Sequence, residues 1–341
     1  PFLLRRSLYM YCLLAVARVQ PLWVSFFRAL AEAGVDSLCL PPRLKCKWEL
    51  PQCAALWVLL GRFQICRGEG RGGVAGVWGG VAALAGRGEE RCGWVLARRC
   101  EEALRLGFQP PEKPRVVVDL SLWHEHTPGE KHELVEQILA ALNVVRGVLW
   151  DGVLWVTNAP AEFLQLLDLH ARGLVHGMKI VGGLPPLSSP VVLDPEGDCL
   201  FTEEVAYSHD EFIIGGIVDK ERTAKSGTKR LAQRIGVEKR CRIELRGSRV
   251  GVPDRINKIT EIVLKTLSGV PLKEAILAAQ AKRDRVYRLM WEIQKRAVRG
   301  PDGRLRITPE ALAEANWLRA PPEEVELALR KAHAVLIQGL S

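Results

Sequence analysis

This 341-residue chain predicts an α/β fold with a mostly parallel sheet. Two observations carry that prediction. Apolar, β-branched runs alternate with helical runs from Arg115 to Leu267, the pattern of βα units with helices on both faces of a sheet. The strand-like runs then stop at Gly269, and only helical patterns follow.

The elements are read in order. RVVVDL (115–120) is a buried strand ending in Asp119. A helix over 129–145 places Leu134, Ile138, Leu142 and Val145 on one face. Strand 152–156, helix 161–172, strand 190–194 and a short helix over 202–207 follow. FIIGGIVD (212–219) is the next strand, then a basic helix or loop over 220–235. Strand 240–245 precedes a helix over 254–267 with Ile256, Ile259, Ile262 and Val263 inward. Helices are expected over 272–298, 309–318 and 322–337, the second with Thr308 as N-cap before Pro309. Pro110, Pro111 and Pro114 mark a boundary, so three parts are expected: 1–110, 111–268 and a small helical domain over 269–341.

Residues 1–110 carry the weakest pattern. Nine glycines fall between Arg67 and Glu90, a segment read as a flexible loop. Its GEGRGG (68–73) matches the dinucleotide fingerprint GxGxxG in form only. A following helix would hold Gly76, Gly79 and Gly80, each costing about 1 kcal/mol against Ala. Arg5, Arg6, Arg18, Pro21 and Arg28 interrupt the apolar start, so no run reaches the roughly 20 residues of a membrane span. The chain is read as soluble and cytoplasmic. Seven of its nine cysteines precede residue 101, and none has CxxC spacing, which leaves disulfides or buried thiols. Cys199 and Cys241 are read as packing residues. His170 and His176 show no ligand spacing, and no metal is assigned.

The net charge is +9, and between Lys220 and Arg249 eleven basic residues face three acidic ones. A polyanion is the natural partner of so local an excess. Immediately before it stands FIIGGIVDK (212–220): an apolar strand, two glycines that admit close approach of backbone or ligand, and a carboxylate, Asp219, at the strand's mouth. An acid–base site beside an anionic substrate fits that arrangement.

The succession VVVDLS, Asn143-x-x-Arg146, VVLDPEG, FTEEVAYSHDEFIIGGIVDK and VPDRINKITEIVL resembles the SPOUT-superfamily methyltransferases that modify N1 of the purine at tRNA position 9, in particular their archaeal members. The resemblance covers about 114–268, and the helical tail fits the archaeal C-terminal extension. It implies a SPOUT-type sheet with a C-terminal trefoil knot, an exception to the usual unthreaded topology. It implies tRNA as substrate, a monomer, an RNA-binding role for 1–110, and S-adenosylmethionine as methyl donor. By motif match the donor lies against Leu193, Gly215, Gly216, Asp219, Ile243, Val250, Gly251 and Val252. Asp219 matches the catalytic Asp; Asp119 and Asp254 match acidic positions, with the alternative readings of a loop pin for Asp119 and an N-cap for Asp254. Asp194 reads as a turn residue before Pro195. Lys220, Arg222, Lys225, Lys229, Arg230 and Arg234 are the expected RNA contacts. Trp123 is expected in the core. Adenine is the expected target, with guanine as a second base; a guanine-only enzyme, a non-catalytic RNA-binding protein of the same fold and a dinucleotide enzyme using GEGRGG are the alternatives.

Overall fold

The protein is described here by a computed structural model, covering residues 17–41, 44, 47–217 and 227–337. The N-terminal unit contains α1 (Leu22–Glu32), β1 (Ser37–Cys39), α2 (Leu50–Leu59), β2 (Gln64–Trp78) and β3 (Val81–Ala97). The flexible loop expected over Arg67–Glu90 is corrected: it lies in a long antiparallel hairpin, with β1 parallel to the far side of β3. Gly79 and Gly80 form the two-residue turn, both with positive φ (+58° and +88°), the conformation that turn requires. Gly70 makes room for the Cys39–Cys92 disulfide, since a Cβ there would lie 2.8 Å from Cys39 Sγ. Cys66–Cys100 ties the hairpin's base to the segment after it.

The central sheet is built from β4 (Arg115–Asp119), β5 (Leu154–Thr157), β6 (Lys179–Ile180), β7 (Pro190–Leu193), β8 (Cys199–Leu200), β9 (Glu211–Gly215) and β10 (Arg240–Arg242), in the spatial order β6-β5-β4-β9-β7-β10-β8. Every pairing in it is parallel. Val116, Val118, Val191, Leu193, Phe212 and Ile214 face the larger core beneath the helices α3 (Pro128–Arg146), α4 (Ala161–Ala171), α5 (Glu203–Ser208) and α7 (Ile256–Leu267). Val117, Val192 and Ile213 face a smaller core under α6 (Gly227–Ile235). Burial on both faces is why these strands are apolar throughout. A capping box starts α3: Thr127 N donates to Glu130 Oε2 at 2.8 Å, and Glu130 N to Thr127 Oγ1 at 3.4 Å. Cys199 and Cys241, expected as packing residues, form a disulfide instead. The parallel register of β8 and β10 sets them side by side, Cα to Cα 4.5 Å.

Past Gly269 come α8 (Leu272–Ala279), α9 (Lys282–Arg296), β11 (Val298–Arg299), β12 (Leu305–Ile307), α10 (Pro309–Ala315), α11 (Pro322–Ala332) and β13 (Ala334–Leu336). The purely helical tail is therefore corrected: β11, β12 and β13 form a small mixed sheet. The long helix expected over 272–298 is broken at Gln280, whose backbone is extended (φ −60°, ψ 132°). The buried residues of α8 belong to the central core, and a separate apolar core begins at Val286.

The N-terminal unit is seated on the C-terminus of α3. Gln52 Nε2 donates to the carbonyls of Arg146 (2.9 Å) and Leu149 (2.8 Å), and Trp48 Nε1 to that of Asn143 (3.1 Å). Arg146 is buried against Trp57 and makes a two-pronged ion pair with buried Asp151, at 2.7 and 2.6 Å. Among the described residues, no helix is long and apolar enough to cross a membrane.

Asp151→Ala leaves the Arg146 charge buried without its partner, and it is expected to cost about 3–5 kcal/mol in denaturant unfolding. A second prediction concerns Asp210, which bonds Lys113 and Arg18. The Lys113 hydrogen bond, opposed by burial and assisted by the Arg18 charge, holds its carboxyl below the usual range. A depressed carboxylate stabilises the fold above its unfolded pKa, and that contribution is lost as pH falls through the folded value. The stability gap between wild type and Lys113→Met is therefore expected to be full at neutral pH and to shrink below the ordinary carboxylate range, as read by unfolding at a series of pH values.

Candidate active site

The carboxyl ends of β7 and β10 open on a cleft of about 580 Å³. Leu193, Asp194 and Pro195 line it from one strand end, and Cys241 and Ile243 from the other. Its remaining walls are the loop Ser248–Pro253, Asp254 and Ile259 at the start of α7, and Tyr287 of α9. Ligands of parallel α/β sheets lie in such crevices outside the strand ends, and the volume suits a nucleoside-sized molecule.

Five of the residues singled out in the sequence meet here: Leu193, Ile243, Val250, Val252 and Asp254. Gly251 stands behind them with φ +77°; its carbonyl accepts from Gln280 Nε2 at 2.7 Å, and a Cβ there would come within 2.4 Å of Arg288 Cβ. The loop is held from below by that arginine. Arg288 is 1% exposed; its Nη1 donates to the carbonyls of Leu245 (2.7 Å) and Val250 (3.1 Å), while Nε donates to Glu292 Oε1 at 2.8 Å. Trp291 and Trp317 lie against the guanidinium at 4.8 and 5.3 Å. Burial acts to raise the Glu292 carboxyl, but hydrogen bonds from Arg296 and Arg288 outweigh it and hold the group below its ordinary range.

Gly215 and Gly216 do not line this cleft. The Gly216 amide donates to Asp119 O at 2.9 Å, and a Cβ at Gly216 would come within 2.6 Å of Leu120 Cδ2, so the close approach there is to the end of β4. Asp119 is fully buried. Its Oδ1 accepts from Ser121 N (3.0 Å), and its Oδ2 from Thr157 Oγ1 (2.8 Å) and Asn158 Nδ2 (2.6 Å), which pins the turn after β4. Asp194 accepts from Glu196 N at 2.9 Å and pairs with Arg240 at 2.7 Å, as a turn residue would. Asp254 is exposed and does not cap α7, whose N-cap is Arg255 with no side-chain bond. Trp123 is buried, and its Nε1 donates to Glu162 at 2.8 Å.

Asp219, Lys220, Arg222 and Lys225 lie outside the described residues. Of the remaining expected RNA contacts, Lys229 is exposed, and Arg234 donates to Ser121 O at 3.1 Å beside a second cleft of about 570 Å³ at the ends of β4 and β5. Arg230 is bound in two-pronged fashion to Glu125, at 3.0 and 2.8 Å, and this bond holds the Glu125 carboxyl below its usual range. Among the described residues, no three His, Cys, Asp or Glu side chains gather as a metal site. Sequence reasoning gave no site role to Arg288, Gln280 or Tyr287; Arg288 and Tyr287 lie on a helix, KRDRVYRLMWEIQKR, that reads as mildly basic, and Gln280 precedes it.

A parallel sheet clad by helices on both faces, with an apolar cleft at its carboxyl edge, defines an α/β enzyme that binds a nucleoside-like ligand. No protein-family model matches the chain. It is 32% identical over 307 residues to the tRNA (adenine(9)-N1)-methyltransferase of Sulfolobus acidocaldarius, spanning 89% of this chain and 95% of that one. The chain belongs to that methyltransferase family. It is also 28% identical to the tRNA (guanine(9)-/adenine(9)-N1)-methyltransferase of Thermococcus kodakarensis, over 92% of this chain and 88% of the relative. The crystal structure of Sulfolobus acidocaldarius Trm10 with S-adenosylhomocysteine superimposes with a TM-score of 0.71 at 29% identity, covering 92% of this chain and 99% of that one.

Arg288→Leu removes the donors to two loop carbonyls and leaves Glu292 without one partner. At about 1–3 kcal/mol per orphaned buried group, amide exchange within 245–252 is expected to accelerate on the order of tenfold or more. Unchanged exchange by mass spectrometry would show that the loop stands without this arginine.

Proposed function

We propose that this chain methylates N1 of adenine at position 9 of tRNA with S-adenosylmethionine as donor, and that guanine at that position is a second acceptor. The observation that carries the reading is the convergence of Leu193, Ile243, Val250, Val252 and Asp254 on one cleft in a member of this family. The residues present fit the donor. Leu193, Ile243, Val250 and Val252 offer apolar surface for an adenine ring and a methionine chain, Gly251 lets the loop backbone turn tightly, and the Asp254 carboxylate suits a sulfonium cation. When bound, S-adenosylmethionine supplies the electrophilic methyl group.

The chain's own residues then have distinct tasks. The Arg288-braced loop fixes the cleft wall, so that positioning supplies much of the rate. Asp219, matched to the family's catalytic Asp, accepts the N1 proton when the acceptor is guanine. When it is adenine, N1 already carries a lone pair, and the same carboxylate stabilises the positive charge that develops on the ring. Dual acceptance is supported by the relative named for both bases. Asp119 acts by holding the end of β4 beside Gly216. Asp254 is the other candidate acidic group at the cleft.

Lys220, Arg222, Lys225, Lys229 and Arg234, with the N-terminal unit, form the proposed tRNA surface; phosphate contacts there set register, and the target base is turned out to reach the cleft. The family likeness, and the pairing of β10 between β7 and β8, support a trefoil knot in the C-terminal part of the sheet. A chain that carries its own flanking units is read as a monomer, working in the cytoplasm where its substrate is.

Nucleoside mass spectrometry of tRNA carrying A or G at position 9, incubated with the enzyme and donor, tests the reading; no methylated nucleoside from either would sink it. Asp219→Asn is expected to slow methylation of the guanine substrate by about 10²–10⁴-fold, the usual contribution of a general base, with tRNA affinity held. Equal rates for mutant and wild type in a single-turnover assay would remove Asp219 from the chemistry.

A further inference from the structure

Beside the donor cleft, sharing Val250, Val252, Pro253 and Asp254 with it, lies a second depression of about 610 Å³. It is lined by Arg249, Arg255 and Lys258 from the central unit and by Arg283 from the N-terminal turn of α9. Four cations thus converge from either side of the seam between the central and C-terminal units, facing the carboxylates of Asp254 and Asp284. Asp284 is committed locally, its Oδ2 accepting from Ala281 N at 2.9 Å.

How these cations are compensated sets them apart from three others in the basic run between Lys220 and Arg249. There, Arg230 is tied to Glu125, Arg240 to Asp194 and Asp198, and Arg242 to Glu244. In the depression, Arg249 and Arg283 have no carboxylate partner among the described residues; Arg249 donates instead to Pro195 O. Arg255 is 63% exposed and lies 3.5 Å from Glu133. Lys258 alone is closely paired, with Glu261 at 3.0 Å. Tyr287, 55% exposed, stands in the walls of both clefts. The methyl donor's one anionic group is a single carboxylate, whereas four cations gathered in one depression suit a polyanion, which the acceptor is.

We propose that this depression is a docking groove for the RNA backbone next to the target nucleotide, with Arg249 and Arg283 on phosphates and Tyr287 available to stack on a base at the entrance to the donor cleft. The inference rests on the tRNA methyltransferase reading and extends it: the C-terminal unit then contributes directly to substrate binding. A groove formed across a seam engages RNA only when both units hold their relative positions, and α9 secures this by bracing the loop through Arg288.

The test is tRNA binding by Arg283→Glu in the full-length protein, by filter binding over a salt series, with S-adenosylhomocysteine titrated by calorimetry as the control for an intact donor cleft. Arg283 lines the groove and not the donor cleft. We expect tRNA affinity to fall about tenfold at moderate salt, and the log–log salt slope to flatten by about one, because one phosphate fewer is neutralised, while S-adenosylhomocysteine binds as in wild type. Tyr287→Ala is expected to weaken tRNA binding about fivefold or more if a base stacks there. A wild-type affinity and salt slope in Arg283→Glu, with donor binding intact, would overturn the groove. Wild-type methylation at position 9 is measured alongside: its absence counts against the enzyme reading alone, because the groove is judged on binding.

Discussion

The cleft proposed for the donor depends on one requirement: the loop from Leu245 to Val252 must stay fixed beside a space that has to remain open. A loop next to a cavity has few atoms on its open side to hold it, and its turned backbone leaves carbonyls without strand or helix partners. Arg288 meets the requirement from behind, donating to two of those carbonyls while Gln280 takes a third. A buried guanidinium is costly to desolvate unless its donors are satisfied. Here Glu292, two carbonyls and two indole faces surround it. A lysine could not reproduce this, because the fork geometry lets one side chain bond an acid and a loop together.

The same device recurs where the N-terminal unit meets α3. Arg146, also buried, joins Asp151 and the Val175 carbonyl, and its own carbonyl accepts from Gln52 of the N-terminal unit. Each seam is thus built around an arginine that satisfies main-chain groups at the end of an element. Apolar contact alone would let the units slide; directional bonds to particular carbonyls fix how they meet. The N-terminal and C-terminal units are therefore structurally coupled to the two ends of the sheet whose edge carries the cleft.

Much of the central fold was legible in the sequence. RVVVDL, PVVL and FIIG carry short runs of consecutive, largely β-branched apolar residues, as strands buried on both faces do, and each is a sheet strand. The part of the site formed by strand ends and the following loop was placed differently, by the family resemblance of the motifs around Leu193 and Val250–Val252. What could not be read depended on partners distant in sequence. The hairpin of β2 and β3 hides in a glycine-rich stretch because its glycines make room for a disulfide and a tight turn; Trp78-Gly79-Gly80-Val81 was its local signal. Cys199 and Cys241 are paired by a parallel register that no spacing reveals. Strands β11 to β13 are two or three residues long, too short for a period to show. Arg288 reads as surface charge until the loop it bonds is known.

The basic run makes a similar point about charge. Counting along the chain located the positive excess between Lys220 and Arg249, but the count did not reveal which cations were already committed. Folding brings carboxylates from distant segments to Arg230 and Arg240, and what those guanidiniums can offer a phosphate falls accordingly. Residues that looked ordinary, such as Arg283 on a helix of mixed charge, keep theirs because no acid among the described residues folds against them. The field an RNA meets is set by cations left uncompensated after folding. In this chain, two of those cations border the wall of the cleft at the ends of β7 and β10, at the seam where the C-terminal unit braces the loop.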